Sequence, residues 1–177
     1  MATTEQAATS SQPDPGLVRP EMVAPARMAA AIISAMVGGI HLAVTQEHFT
    51  EWWVFGAFFL VVGGFQVAYA PLVLRWASWQ VALTGIVVNL TVVLVWVASR
   101  TVGLPIEAPE SGESHTETAE GGIEAVGVLD LASTAVELAV IALLVTLLPA
   151  RLRRATGNVL LLIGLALWVV RFSGALD

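Results

Sequence analysis

Residues 126–149 read VGVLDLASTAVELAVIALLVTLLP, and this stretch decides what kind of protein the chain is. Its 24 residues, wound as a helix, rise about 36 Å, enough to cross the roughly 30 Å hydrocarbon core of a bilayer. Yet it carries two carboxylates, Asp130 and Glu137. They stand seven residues apart, on one helix face, with Ser133 and Thr134 on the same stripe. Glu137 falls near the middle of the span and Asp130 about two turns nearer its start. Residues 138–145 are wholly apolar, so the polar stripe opens toward one membrane face and stops at the midplane.

The rest of the chain fits that environment. Of 177 residues, 56% are hydrophobic and only 12% charged, about half the charge of an ordinary soluble domain. Four further apolar runs accompany the first, giving expected spans at about 26–44, 52–74, 78–100, 127–149 and 156–176. An open sheet cannot cross lipid and no period-two alternation is present, so the expected class is all-α: an integral membrane helical bundle of five transmembrane helices. Arg171 interrupts the last run, and four spans plus a C-terminal interfacial helix is the alternative. Residues 1–25, rich in Ala, Thr, Gln and Pro, lack the pattern of a signal peptide and read as a disordered cytoplasmic tail. Residues 101–126 hold six glutamates and read as an acidic extracytoplasmic loop.

Arginine placement sets the expected orientation. All eight basic residues are arginine. Arg19 and Arg27 flank the first span, Arg75 lies between the second and third, and Arg151, Arg153 and Arg154 lie between the fourth and fifth. Cytoplasmic connections carry the excess of basic residues. The reading is therefore a multi-pass protein of the cell membrane, N-terminus cytoplasmic and C-terminus outside, with a short outer loop at 45–51. Trp52, Trp53, Trp76 and Trp79 fall at span ends, where indole rings prefer the interface.

Composition also excludes chemistry. The absence of cysteine removes disulfides, thiolate metal sites and thiol nucleophiles. There is no basic patch for nucleic acid, and no haem, flavin or nucleotide signature. The expected partners are the lipid bilayer and other membrane subunits.

The candidate functional residues are the polar ones at membrane depth, where an ionisable side chain costs enough to be a functional hypothesis by default. His41 shares a stripe with Ser34, Gly38 and Thr45; Asn89 centres the third span; Gln66 lies slightly inward in the second. By depth, Asp130 matches Arg171, and Glu137 matches Asn89 or His41. Together His41, Asn89, Asp130, Glu137 and Arg171 make up the expected ligand or ion site. The bland alternative is a protonated Glu137 hydrogen-bonded to Asn89, gluing helices together. A second constellation, His41, His48 and Glu51, has donors suited to a transition metal, although its spacing matches no strong signature. His115 with Glu113 and Glu117 is a weaker metal candidate against the simpler reading of a solvated charge run.

The stretch HLAVTQEHFTEWWVFGAFFLVVGGFQ from His41, SRTVGLP from Ser99, and VGVLD from Val126 with its following glutamate resemble a family of small uncharacterised membrane proteins common in actinobacteria. The resemblance covers about residues 29–149. It implies a helical multi-span fold and brings no established activity, so it assigns no functional residue.

Three functions are compatible with these residues: a binding protein with an outward-open polar site for a metal ion, proton or small ligand; a non-catalytic accessory subunit of a larger membrane complex; and a metal-dependent membrane enzyme. Their order of preference is the order given.

Overall fold

The computed structural model describes residues 20–101 and 127–173. Five helices account for them: α1 (Pro20–Glu51), α2 (Trp53–Arg75), α3 (Trp79–Thr101), α4 (Val128–Thr146) and α5 (Ala150–Phe172), with no strand among the described residues. Each is long and apolar enough to cross a membrane. The chain is an all-α bundle compatible with a multi-pass membrane protein.

The first helix departs from the sequence reading at both ends. It holds 32 residues and is therefore about 48 Å long, well beyond the roughly 30 Å apolar slab. Residues 20–25, assigned to the tail, form its first turns, and residues 45–51, assigned to a loop, form its last two. Local bonds keep that polar end helical. Thr45 Oγ1 donates to His41 O at 2.8 Å and Thr50 Oγ1 to Glu47 O at 2.6 Å, while His48 Nδ1 meets Glu51 Oε2 at 2.8 Å across one turn. The helix ends at one extended residue, Trp52 (φ −163°, ψ 138°). Its N–H bonds His48 O at 3.0 Å, and its own carbonyl accepts from Phe55 and Gly56 at 3.1 and 3.2 Å, so α2 starts immediately.

α1 and α2 form the most intimate pair. Gly38 and Gly63 face each other at the crossing: a Cβ built on Gly38 would lie 2.9 Å from Gly63 O, and one on Gly63 would lie 2.8 Å from Gly38 O. Close backbone approach through small residues is how membrane helices gain packing where apolar burial supplies little. Ser34 Oγ donates to Gln66 O at 3.0 Å in the same seam. Arg27 donates to Val73 O at 2.8 Å and also to Leu74 O, satisfying the last carbonyls of α2.

α4 packs against α1 and α3, and α3 meets α2 more sparsely, so α1 to α4 close into a ring. The two ends of that ring differ. At the lower end, where α2 turns into α3 and α4 into α5, Tyr69, Val73, Ala82, Ile86, Leu144 and Leu148 form a buried apolar cluster. Tyr69 Oη donates to Val81 O at 2.8 Å, and its ring occupies the space that any side chain at Gly85 would need. The upper end, where α1 runs into α2 and α4 begins, is hollow. α5 touches only α4, sparsely, and none of its side chains is buried. It begins at Ala150 rather than near 156, so Arg151, Arg153 and Arg154 lie in its opening turns.

Candidate functional site: a polar floor under an aromatic-walled cavity

Each of the four ring helices repeats its inward positions every three or four residues, and at mid-bundle each places a polar side chain there. They are His41 of α1, Gln66 of α2, Asn89 of α3 and Glu137 of α4, with relative exposures of 4%, 0%, 0% and 1%. These four form one hydrogen-bonded layer. His41 Nε2 lies 2.9 Å from Glu137 Oε1. Gln66 Nε2 donates to Asn89 Oδ1 at 3.2 Å and to Glu137 Oε1 at 3.4 Å. Asn89 Nδ2 donates to Gly85 O, one turn back, at 2.7 Å.

The layer is not saturated. Gln66 Oε1 is buried with no hydrogen-bond partner, and Glu137 Oε2 makes no hydrogen bond among the described residues. An unmet buried polar atom costs about 1–3 kcal/mol. A layer built only to glue helices would close the valence at Gln66 Oε1.

Above the layer lies a cavity of about 300 Å³ bounded by all four ring helices. His41 and Glu137 form part of its lining at the lower end, and Thr134 and Ser133 continue the wall on α4. Phe55, Phe58 and Phe59 of α2 and Trp96 of α3 supply most of the apolar wall. Phe59 links the two histidines: it stacks on His48 with centroids 4.0 Å apart and rings 6° from parallel, and it tilts against His41 at 5.5 Å. At the upper rim, about 10 Å from Glu137 along α4, Asp130 Oδ2 accepts from Arg100 Nη2 at 2.7 Å and from Gly127 N–H at 3.1 Å. The carboxylate thus caps the first turn of α4, where negative charge is favoured, and closes an ion pair to the end of α3.

The structure brings His41 and Glu137 into direct contact. Asn89 reaches Glu137 only through Gln66, so the bridging amide, which sequence depth made a distant candidate, is central. Asp130 pairs with Arg100 and not with Arg171. The reason is packing: α5 lies apart from the ring, and Arg171 sits exposed in its last turn, whereas Arg100 ends the helix packed against α4. The proposed metal set does not assemble either. His41 is engaged by Glu137 and His48 by Glu51, with the Phe59 ring against both histidines, and no three His, Asp or Glu side chains gather to hold a metal among the described residues. His115, Glu113 and Glu117 lie outside the described residues. The sequence reading did not identify the aromatic wall, although Phe55, Phe58 and Phe59 stand about two to three turns before Gln66 in the sequence.

Comparison of the chain with family models, with curated proteins and with solved structures gave no match. The resemblance to an actinobacterial membrane family gains no support from these comparisons.

Proposed function

We propose that this chain is a multi-pass protein of the cell membrane that holds a small molecule in the cavity between α1 and α4. The arginine distribution places the upper, hollow end outside the cytoplasm, with the N-terminus inside and the C-terminus outside. The observation that carries the reading is the open Oε2 of Glu137, on a side chain 1% exposed that nevertheless lines a cavity of about 300 Å³. That volume is at the small end of known ligand sites, and the lining has their usual character, mostly apolar with a few convergent polar groups. The apolar cluster below the layer argues for binding over conduction, because a pore needs polar lining or a hydrophobic gate through both halves.

The accessory-subunit reading draws on a different observation, the lack of any buried side chain in α5. Lipid covers such a helix as well as a partner protein does, so the cavity reading is preferred.

The test is native mass spectrometry of the protein released from lipid nanodiscs. A small molecule should travel with the wild type and be lost from Ser133→Phe, which fills the cavity beside the floor. A wild type without any adduct, together with a Ser133→Phe variant of unchanged or greater thermal stability, would reduce the cavity to a packing defect.

A further inference from the structure

The charges and rings around the cavity specify what kind of molecule it takes. Three acid–base pairs surround it, two at the rim and one at the floor. At the rim, Arg100 and Asp130 neutralise each other at 2.7 Å, and His48 is paired with Glu51 at 2.8 Å. At the floor, Glu137 meets the imidazole of His41 at 2.9 Å and the amide of Gln66 at 3.4 Å, both through Oε1, with Asn89 behind the amide. α2 and α3 contribute no ionisable group at this depth. The floor therefore offers one carboxylate oxygen, Oε2, with hydrogen-bond donors on the other oxygen only.

The walls offer a second term. Phe55, Phe58, Phe59 and Trp96 line the same cavity, and aromatic faces attract a cation through their quadrupoles, most strongly when it is desolvated. A bare metal ion is a poor fit, because no three ligating side chains converge among the described residues. An anion would meet the Glu137 carboxylate at the floor, with Arg100 at the rim already engaged by Asp130. A neutral apolar molecule would fill the volume but leave Glu137 Oε2 unmet. A carboxylate under a set of aromatic rings is the chemistry that recognises an organic ammonium ion.

We infer that the ligand is a lipophilic organic cation of ammonium type, seated with its charged centre at Glu137 Oε2 and its hydrocarbon against the aromatic residues of α2 and Trp96. This rests on the reading above that the cavity holds a small molecule. His41 is a positioning residue: it engages Oε1 and leaves Oε2 for the ligand.

The experiment compares two probes of the same shape, benzyltrimethylammonium and its uncharged isostere neopentylbenzene, by equilibrium dialysis against protein in nanodiscs with empty nanodiscs subtracted. The cation should bind saturably and at least about tenfold more tightly than the isostere. Glu137→Gln should remove that preference while leaving isostere binding unchanged. Phe59→Leu, which retains the carboxylate, should weaken the cation more than the isostere, and it serves as the second variant if Glu137→Gln does not fold. Equal binding of both probes to the wild type would overturn the inference and leave the cavity's binding role standing. Saturable binding of neither probe would also overturn it, while the co-purified mass in the native spectrum decides separately whether the cavity holds anything.

Discussion

Two adjacent glycine pairs, Gly38-Gly39 and Gly63-Gly64, allow the α1–α2 crossing to be tested with internal controls. A methyl at Gly38 would lie 2.9 Å from Gly63 O and 3.0 Å from both Gln66 Cβ and Val67 Cγ2. A methyl at Gly63 would lie 2.8 Å from Gly38 O and 3.0 Å from Leu42 N. At Gly39 and Gly64 the same methyl meets nothing within 4 Å. Ordinary contact begins at 3.4 Å, and the nearest obstructing atom at each glycine is a backbone carbonyl oxygen, so the helices must part by about half an ångström. Two terms oppose each other. Alanine is a better helix former than glycine by about 1 kcal/mol, whereas overpacking a close contact costs about 1–3 kcal/mol. Gly39→Ala and Gly64→Ala should therefore stabilise by up to about 1 kcal/mol, Gly38→Ala and Gly63→Ala should destabilise by about 0–2 kcal/mol, and each neighbouring pair should differ by about 1–3 kcal/mol. The site would feel the change as well. Gln66 lies one turn from Gly63, and its bond to Glu137 is already 3.4 Å long, so parting the helices breaks it. Equilibrium unfolding in mixed micelles measures the four stabilities. Indistinguishable values for Gly38→Ala and Gly39→Ala would refute the crossing geometry and the placement of Gln66 that depends on it.

Two further outcomes are expected. In a double-mutant cycle, Asp130→Asn and Arg100→Gln should couple by about 0.2–1 kcal/mol, modest because the Asp130 side chain is 38% exposed, whereas Asp130→Asn and Arg171→Gln should be additive within error; unfolding titrations of the singles and doubles distinguish the two pairings. Cysteine introduced at Ser111→Cys should react with a membrane-impermeant maleimide on intact cells, and protection there with labelling only after lysis would reverse the orientation drawn from the arginines.

Much of the architecture was legible because lipid imposes a simple code. Helix number and class followed from apolar runs of bilayer length, since backbone polar groups have no other partner in hydrocarbon. Depth left Glu137 two partners, Asn89 and His41, and the stripes of small or hydroxyl residues that carry both His41 and Glu137 pointed to a shared cavity; the structure makes His41 the direct contact. Helix ends were less legible. Residues 45–51 are polar and read as a loop, yet side-chain bonds one turn back hold them helical outside the apolar slab. Partner choice was least legible. Depth pointed from Asp130 to Arg171 and passed over Arg100, because depth carries no lateral information: α3 lies beside α4, and α5 does not enclose it. The aromatic wall was invisible for a related reason. Phe55, Phe58 and Phe59 belong to a run apolar on every side, so hydropathy alone cannot say which rings face lipid and which face the bundle.

The cavity itself has a cause in side-chain size. Down the inward face of α4 and into the turn after it, the residues below the layer are Val140, Ile141, Leu144 and Leu148, all buried and branched, and they fill the ring against Tyr69, Val73 and Ile86. Above the layer the same face continues as Thr134, Ser133 and Asp130. Each substitution of a hydroxyl residue for a branched aliphatic one removes about a methylene or two of volume, and a void lined this way loses contacts with nothing to replace them. α1 adds little bulk just above the layer, where Thr45 follows His41 on the inward face, and supplies His48 higher up, stacked on Phe59. α2 supplies three phenylalanines from the opposite side, which narrow the hollow without closing it. A bundle selected only for stability would replace Ser133 and Thr134 with leucine, extending the lower cluster upward over Glu137. This chain instead ends its apolar packing at the layer that holds Glu137, and the cavity begins at that residue.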